Sequence, residues 1–190
     1  LMATSAQQIP ISTYRVSDEA EKLVLSVLRS GQLAQGPMVA KLEEMTAKMA
    51  GSEYAVAFSN GTATLIASLI AHGIGPGDEV ITSPFTFVAT LNAILFTGAT
   101  VVFADIDDQT YNIDPEAIKT ALTPFTKAIM PVHIFGQSAN MTKITKIAEQ
   151  NSLIIIEDAA QAHGALWDKK PVGSFGTGSF SFYTTKNVGC

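Results

Sequence analysis

A chain of 190 residues, 47% hydrophobic and 15% charged, has enough apolar side chains for one packed domain, which excludes an intrinsically disordered chain. Its formal net charge of −5 argues against a nucleic-acid partner, because such proteins need a basic surface. The single cysteine, Cys190, excludes an internal disulfide and a cysteine-based metal site, so no metal is expected. Without a long apolar run or a signal-peptide pattern, we expect a soluble cytoplasmic protein with no membrane partner.

Two helices are predicted in the first fifty residues. Ser17 can cap a helix that begins with Asp18 and ends near Gly31, with its apolar face turned inward. That face consists of Leu23, Val24, Val27 and Leu28. A second helix is expected from Pro37 to Gly51. We therefore divide the chain into a helical arm, residues 1–50, and a larger domain, residues 51–190.

Short, β-branched, apolar runs alternate with helix-like segments in the larger domain. Such runs are typical of strands buried on both faces, and the alternation predicts an α/β fold with a mostly parallel sheet and helices on both faces. The five expected strands are Tyr54 to Phe58, Glu79 to Ser83, Thr100 to Ala104, Lys127 to Val132 and Leu153 to Glu157. Asp114 and Pro115 signal one intervening helix, and Met141 to Gln150 has the apolar spacing of another.

Ligands of open α/β sheets bind beyond the carboxyl ends of the strands, so the segments that follow the strands are informative. After Phe58, the residues Asn60, Gly61 and Thr62 open a helix whose free N–H groups suit a phosphate. Gly61 would let the anion approach closely. Taken alone, the same segment fits a plain asparagine-capped helix equally well.

Two further segments carry ionisable groups. Asp158 ends an apolar strand, where its carboxylate needs a partner such as a protonated ligand nitrogen, although a magnesium ligand or a helix cap remain alternatives. Lys186 follows an alternating run of aromatic and hydroxyl residues, where desolvation would suit its amine to covalent catalysis. A surface lysine is the alternative there. A phosphate-binding turn, an acid and an amine together are what pyridoxal phosphate requires.

The sequence also resembles the DegT/DnrJ/EryC1/StrS sugar aminotransferases. The resemblance covers nearly the whole chain and is carried by residues 30–37, 75–80, 131–136 and 182–187. It implies the large domain of the aspartate aminotransferase fold, which is fold type I of the enzymes that use pyridoxal 5′-phosphate. The implied reaction transfers an amino group, with glutamate the expected donor, to a nucleotide-linked keto sugar for polysaccharide or amino-sugar biosynthesis.

The resemblance also assigns roles to individual residues. Lys186 holds the cofactor covalently, Asp158 pairs with the pyridine nitrogen, and Gln161 contacts the ring hydroxyl region. The phosphate contacts map to Thr62, Ala63 and Ser181, and the ring of Phe87 stacks on the cofactor, although composition alone would place Phe87 in a core. His163 can orient the acid or be a structural histidine.

The sequence departs from the family pattern at its end and at one other position. Family members continue past the lysine into a small C-terminal domain, which we expect to be absent from this chain because its last residue is Cys190. They also place each active site at a homodimer interface, so part of the site is expected from a second copy. Thr184 stands where proline is common, and we expect only a change in loop stiffness.

Two rivals to the aminotransferase function stay open. The first is a nucleotide-sugar dehydratase on the same fold, in which histidine replaces the lysine, so Lys186 argues against it. The second is a non-catalytic fragment that only binds the cofactor or dimerises. No dinucleotide-binding, phosphate-loop or metalloprotease motif supports another class of function.

Overall fold

The computed structural model describes residue 13 and residues 15–189, and its helices and strands alternate along most of the chain. The helices are α1 Asp18–Ser30, α2 Pro37–Ala50, α3 Gly61–Ala71, α4 Ala89–Phe96, α5 Pro115–Ala121 and α6 Met141–Asn151. The strands are β1 Glu79–Thr82, β2 Thr100–Phe103, β3 Thr126–Met130, β4 Ile154–Asp158, β5 Leu166–Trp167, β6 Lys170–Pro171 and β7 Thr177–Ser179. A short 3₁₀ turn covers Ile134–Gly136.

Five strands form one sheet in the order β2-β1-β3-β4-β7, and every neighbouring pair is parallel. The chain leaves β1 for β2 on one side and returns to β3 on the other side, so the strand order reverses between β1 and β3. The carboxyl edge at such a point is where open α/β sheets bind ligands. Four of the five expected strands are confirmed, with ends within two residues of the prediction.

The sheet has a hydrophobic core on each face, because successive side chains of a strand point to opposite sides. On one face, Val80 and Ile156 pack with residues of α3 and α4 such as Leu69 and Ile94. On the other face, neighbouring strand residues pack with α5 and α6; they are Ile81, Ile129 and Ile155, set against Ile118 and Ile144. The expectation of helices on both faces is confirmed.

The fifth expected strand is a wrong prediction, since Tyr54 to Phe58 are not in a strand. The backbone of this segment is bonded to a side chain instead: the Ala57 N–H donates to Glu43 Oε1 at 2.9 Å. Its alternate residues Tyr54 and Val56 are 77% and 68% exposed. A strand needs a neighbouring strand to pair with, and no strand among the described residues lies beside residues 54–58.

The inward apolar face predicted for α1 is also wrong. The Ser17 cap and the Gly31 stop are present, with Gly31 in the left-handed conformation at a φ of 72°. However, Leu23, Val24 and Leu28 are 40%, 59% and 57% exposed. An amphipathic pattern predicts which face would be covered, but no element among the described residues covers this one.

The carboxylate of Glu157 in β4 is fully buried and holds the loop that leads into β7. Its Oε1 accepts hydrogen bonds from the N–H groups of Phe175 and Gly176 at 2.8 and 3.0 Å. Its Oε2 accepts from the N–H of Gly173 at 2.8 Å and from His133 Nε2 at 3.1 Å. Four donors therefore compensate the desolvation of this buried carboxylate.

The tautomer of His133 follows from its second contact. Its Nδ1 accepts from the Ala139 N–H at 3.0 Å, so the ring proton is on Nε2 and points at Glu157. The loop itself needs glycine, because a Cβ on Gly176 would overlap the carbonyl oxygen of Ile155. These contacts fix β7 beside β4, where Asp158 is in register with Ser179.

None of the helices in the part of the chain that the structure describes is long and apolar enough to cross a bilayer. Helices α1 and α2 precede the sheet. The division into an arm, residues 1–50, and a domain, residues 51–190, stays a prediction, and residues 1–12 lie outside the described part. Cys190 also lies outside it.

Replacing Glu157 with glutamine should lower the free energy of unfolding by about 2 to 4 kcal/mol. The glutamine NH₂ is a donor, and in either orientation it would face backbone N–H groups or the His133 N–H. Urea unfolding followed by circular dichroism measures the change. The control Glu149→Gln, on the exposed surface of α6, should stay within about 0.5 kcal/mol of the parent protein. Equal stabilities of the two variants would contradict the role of Glu157.

Candidate active site

Asp158 lies at the carboxyl end of β4 with 6% of its surface exposed. Its Oδ2 accepts a hydrogen bond from Thr90 Oγ1 at 2.7 Å, and its Oδ1 accepts from the Ala160 N–H at 3.2 Å. Both donors are neutral, so they stabilise the carboxylate without cancelling its charge. A protonated nitrogen of a ligand would find a strong acceptor here.

Thr90 itself is part of a pair of hydroxyl groups at the start of α4. Thr86 Oγ1 lies 2.7 Å from Thr90 Oγ1, and Thr90 is fully buried. Between them in sequence is Phe87, whose carbonyl accepts the Thr90 N–H at 3.1 Å and whose side chain is 67% exposed. The predicted stacking residue Phe87, just before α4, is therefore hydrogen-bonded through its backbone to the residue whose hydroxyl contacts Asp158.

The N-terminus of α3 forms a turn that can bind an anion. Asn60 caps the helix by accepting the Ala63 N–H at 2.9 Å, which uses the backbone donor of one of the three predicted phosphate contacts. The N–H groups of Gly61 and Thr62 have no acceptor among the described residues. Free N–H groups at a helix start, together with the helix dipole, favour a negatively charged ligand.

Residues of β7 and the segment after it pack against this turn. The Thr64 hydroxyl donates to the Gly61 carbonyl at 2.6 Å and lies 2.5 Å from Ser179 Oγ. A Cβ on Gly61 would be 2.9 Å from the Cβ of Ser181. The backbone of the turn can thus approach Ser181 only because residue 61 has no side chain. Since Ser181 Oγ accepts the Tyr183 N–H at 3.4 Å, its own proton can still be donated to a ligand.

Gln161 lies in the loop after Asp158 and is half-buried. Its Oε1 accepts the N–H of Phe135 at 2.8 Å, which orients the side-chain amide. Phe135 has a φ of 53°, a conformation that a bulky residue rarely adopts. With its oxygen engaged in this way, the NH₂ group is the part of the Gln161 side chain that can donate a hydrogen bond.

Lys186 is half-buried in a turn beyond β7, where its N–H donates to the Tyr183 carbonyl at 2.8 Å. The nearby ring of His163 packs against Phe180 and Phe182, with ring centroids 5.3 and 5.2 Å apart. Burial lowers the pKa of His163, the Asn187 side chain acts in the opposite direction, and the positive charge of Lys186 lowers the pKa further. Neither ring nitrogen of His163 makes a hydrogen bond of normal geometry.

The structure brings most of the predicted residues to one edge of the sheet. Asp158 is joined to the Gly61 turn through its register partner Ser179, and to the Phe87 turn through Thr90. Lys186 lies close enough to His163, in the loop after Asp158, for its positive charge to lower the pKa of that histidine. Residues 15–189 hold no group of three or more His, Cys, Asp or Glu side chains that could bind a metal ion.

Several of the contacts that assemble the site come from residues that the sequence analysis missed. They are Thr64, Thr86, Thr90 and Ser179. A usable signal was present at Thr86 and Thr90, two hydroxyl residues that come soon after strand β1, at the edge of the sheet where ligands bind. The residues of β7 gave no signal, because the strand has only three residues, none of them a large apolar residue, and Gly178 disfavours a strand.

The chain belongs to the DegT/DnrJ/EryC1/StrS aminotransferase family, whose model matches residues 15–190. The chain also has the fold of solved aminotransferases of this family. The structure superimposes with a TM-score of 0.84 on NtdA from Bacillus subtilis with bound cofactor PMP, at 36% identity, over 92% of this chain and 40% of that one.

Two curated relatives are similar over nearly the same length. The spore coat polysaccharide biosynthesis protein SpsC of Bacillus subtilis (strain 168) is 47% identical over 181 residues, which cover 95% of this chain and 46% of SpsC. A UDP-2-acetamido-2-deoxy-3-oxo-D-glucuronate aminotransferase of Pseudomonas aeruginosa is 42% identical over 177 residues, 93% of this chain and 49% of the relative. The chain spans about half the length of the curated relatives it matches.

The lowered pKa of His163 predicts a pH-dependent stability. Unfolding returns His163 to its ordinary pKa of 6.5, so below that pH the unfolded chain binds a proton that the folded chain resists. The free energy of unfolding is therefore not reduced by His163 above pH 6.5, and it is reduced by His163 as the pH falls below that value. Urea unfolding at about pH 7.5 and about pH 5.5 should therefore show a smaller loss for His163→Asn than for the parent protein.

The matched control for this prediction is Ile118→Val, which lies in the core cluster between the sheet and helices α5 and α6 and removes no titratable group. It should lower the stability by similar amounts at both pH values. If His163→Asn and the parent protein lose the same stability between the two pH values, the pKa of His163 is not lowered in the folded chain.

Proposed function

We propose that this chain is the cofactor-binding part of a pyridoxal 5′-phosphate-dependent aminotransferase that acts on a nucleotide-linked keto sugar. The observation that carries the proposal is the junction of two chemically different sites. A buried carboxylate, Asp158, and an anion-binding helix start, Gly61 to Ala63, are joined through Ser179, which pairs with Asp158 in the sheet and whose hydroxyl contacts Thr64 of α3. A phosphorylated, protonated heterocycle fits this pair, because its nitrogen and its phosphate have opposite charges.

Each remaining predicted residue has a role toward that ligand. The N–H groups of Gly61 and Thr62 and the hydroxyl of Ser181 would hold the phosphate, and the NH₂ group of Gln161 would donate to the ring oxygen. The exposed ring of Phe87 would cover one face of the heterocycle. Asp158 would accept a hydrogen bond from the protonated ring nitrogen and keep it protonated, and this proton lets bound pyridoxal phosphate accept an electron pair from a substrate carbon.

Lys186 is the residue proposed to hold the cofactor covalently through its amine. When the amino donor displaces it, the freed amine can take a proton from one carbon and return it to another atom. The amine lies on a half-buried residue beside His163. Burial lowers the pKa of His163, so this neighbour carries no positive charge at physiological pH.

The substrate class is supported by the relatives. The relative from Pseudomonas aeruginosa is named for a UDP-linked 3-oxo sugar acid, and SpsC for a spore coat polysaccharide. With glutamate as the proposed donor, glutamate and the keto sugar give 2-oxoglutarate and the amino sugar. The exchange needs no oxidant or reductant, since one carbonyl is consumed and one is formed.

We also propose that two copies pair into a homodimer with shared active sites, located in the cytoplasm. The support for pairing is the set of exposed apolar side chains on α1 and α2, among them Leu23, Leu28 and Met45. Leaving such a face in water is unfavourable, and burying it against a second copy would recover that free energy.

The purified protein mixed with pyridoxal phosphate should develop a visible absorbance that borohydride reduction makes permanent. Lys186→Ala should lose this lysine-linked absorbance completely, because no other amine lies at the proposed position. Lys146→Ala, which removes an exposed lysine of α6, should behave as the parent protein does. Mass spectrometry after reduction and proteolysis should place the cofactor on Lys186.

The same preparation separates the rival functions. Glutamate should bleach the absorbance, and a panel of nucleotide-linked keto sugars should then give a product that gains nitrogen. A product that loses water would identify a dehydratase instead. Absence of a lysine-linked absorbance in the parent protein would overturn the proposal and leave a binding-only or dimerising chain.

Gly61→Ala should weaken the affinity for pyridoxal phosphate by about 10-fold or more. The new methyl group would collide with Ser181 and push a phosphate donor out of place. Gly75→Ala is the matched control, because a Cβ there would meet only the Thr97 carbonyl at an ordinary 3.6 Å. Absorbance titration with the cofactor measures both affinities, and equal values would argue against a phosphate at this turn.

A further inference from the structure

We propose that Thr90, held in turn by Thr86, is a positioning residue that fixes the Asp158 carboxylate for the ring nitrogen of the cofactor. The inference rests on the proposed function and assigns a role to two hydroxyl groups that lie away from the anion-binding turn. Neither hydroxyl needs to touch the cofactor. Their effect would pass through Asp158.

The direction of the two hydrogen bonds follows from counting protons. Asp158 Oδ2 can only accept when it is ionised, so the bond of 2.7 Å from Thr90 Oγ1 uses the single proton of the Thr90 hydroxyl. The bond of 2.7 Å between the two threonine hydroxyls must then be donated by Thr86. The result is a directed chain from Thr86 to Thr90 to Asp158, in which each bond strengthens the next.

Burial makes this chain a strict constraint. Thr90 is fully buried and Asp158 is 6% exposed, so water cannot replace a lost partner without opening the structure. Together with the Ala160 N–H on Oδ1, the Thr90 hydroxyl gives each carboxylate oxygen one fixed donor. The plane of the carboxylate is thereby set, and each oxygen keeps acceptor capacity for a ligand.

Phe87 lies just before α4, and its carbonyl accepts the Thr90 N–H at 3.1 Å. Thr90 is therefore bonded on one side to the residue proposed to bind the ring nitrogen and on the other side to the residue proposed to cover the ring. A displacement of Thr90 would change both. This explains why a hydroxyl residue, rather than an apolar one, occupies a fully buried position on the same helix as the core residue Ala93.

The test compares Thr90→Val with Thr90→Ser. Valine keeps the shape of threonine and removes the hydroxyl, whereas serine keeps the hydroxyl and removes a methyl group. If Thr90 positions Asp158, valine should weaken the affinity for pyridoxal phosphate about 10-fold and shift the pH midpoint of the bound cofactor's absorbance, and serine should stay within about 3-fold of the parent protein. Thermal unfolding without cofactor reports any loss of packing in each variant.

The opposite order, with valine close to the parent protein and serine impaired, would mean that Thr90 only fills space and would overturn the inference. So would a valine variant with unchanged affinity and unchanged pH midpoint. Thr86→Val gives a second test if Thr90→Val fails to fold, since it leaves Thr90 in place but removes its donor. We expect a smaller loss of affinity for pyridoxal phosphate than with Thr90→Val. An unchanged affinity would contradict the directed chain. A parent protein without lysine-linked absorbance would instead refute the proposed function.

Discussion

The buried carboxylate of Glu157 is the interaction on which the rest of the structure depends. Strand β7 has only three residues, Thr177–Ser179, and little apolar surface to hold it against β4. Three backbone N–H groups of the preceding loop, residues 173–176, are instead tied to Glu157, and His133 supplies a fourth donor. Because an unpaired buried carboxylate would be very costly, the loop has essentially one arrangement that satisfies it.

Asp158 follows Glu157 directly, and the alternation of a strand sends the two carboxylates to opposite faces of the sheet. Glu157 uses all of its hydrogen bonds within the chain, which fixes β7. Asp158 accepts only two, from Thr90 and from the Ala160 N–H, and keeps acceptor capacity. Two neighbouring acidic residues are thereby given different tasks by their surroundings: one builds the edge of the sheet, and the other is available to a ligand at that edge.

The sequence predicted the parts of the fold that depend on continuous apolar runs. Strands β1 to β4 were recognisable from their short apolar, β-branched runs, whereas β7 depends on contacts with Glu157 that no local pattern reveals. Tyr54 to Phe58 have a strand-like composition without a strand beside them, which shows that propensity alone does not make a strand. The sequence singled out the ionisable residues Asp158 and Lys186, whereas Thr86 and Thr90 were missed although they follow strand β1, because threonine is common at protein surfaces and its type alone indicates no role.

The anion-binding turn relies on neutral donors, and this makes its geometry more important than its charge. The N–H groups of Gly61 and Thr62 and the Ser181 hydroxyl act only at short range, so the backbone of α3 must approach the segment after β7 closely. The close contact between Gly61 and Ser181 and the short contact between Thr64 and Ser179 achieve this approach. Both contacts require β7 to be in place. The proposed phosphate site on one face of the sheet thus depends on the Glu157 hydrogen bonds on the other.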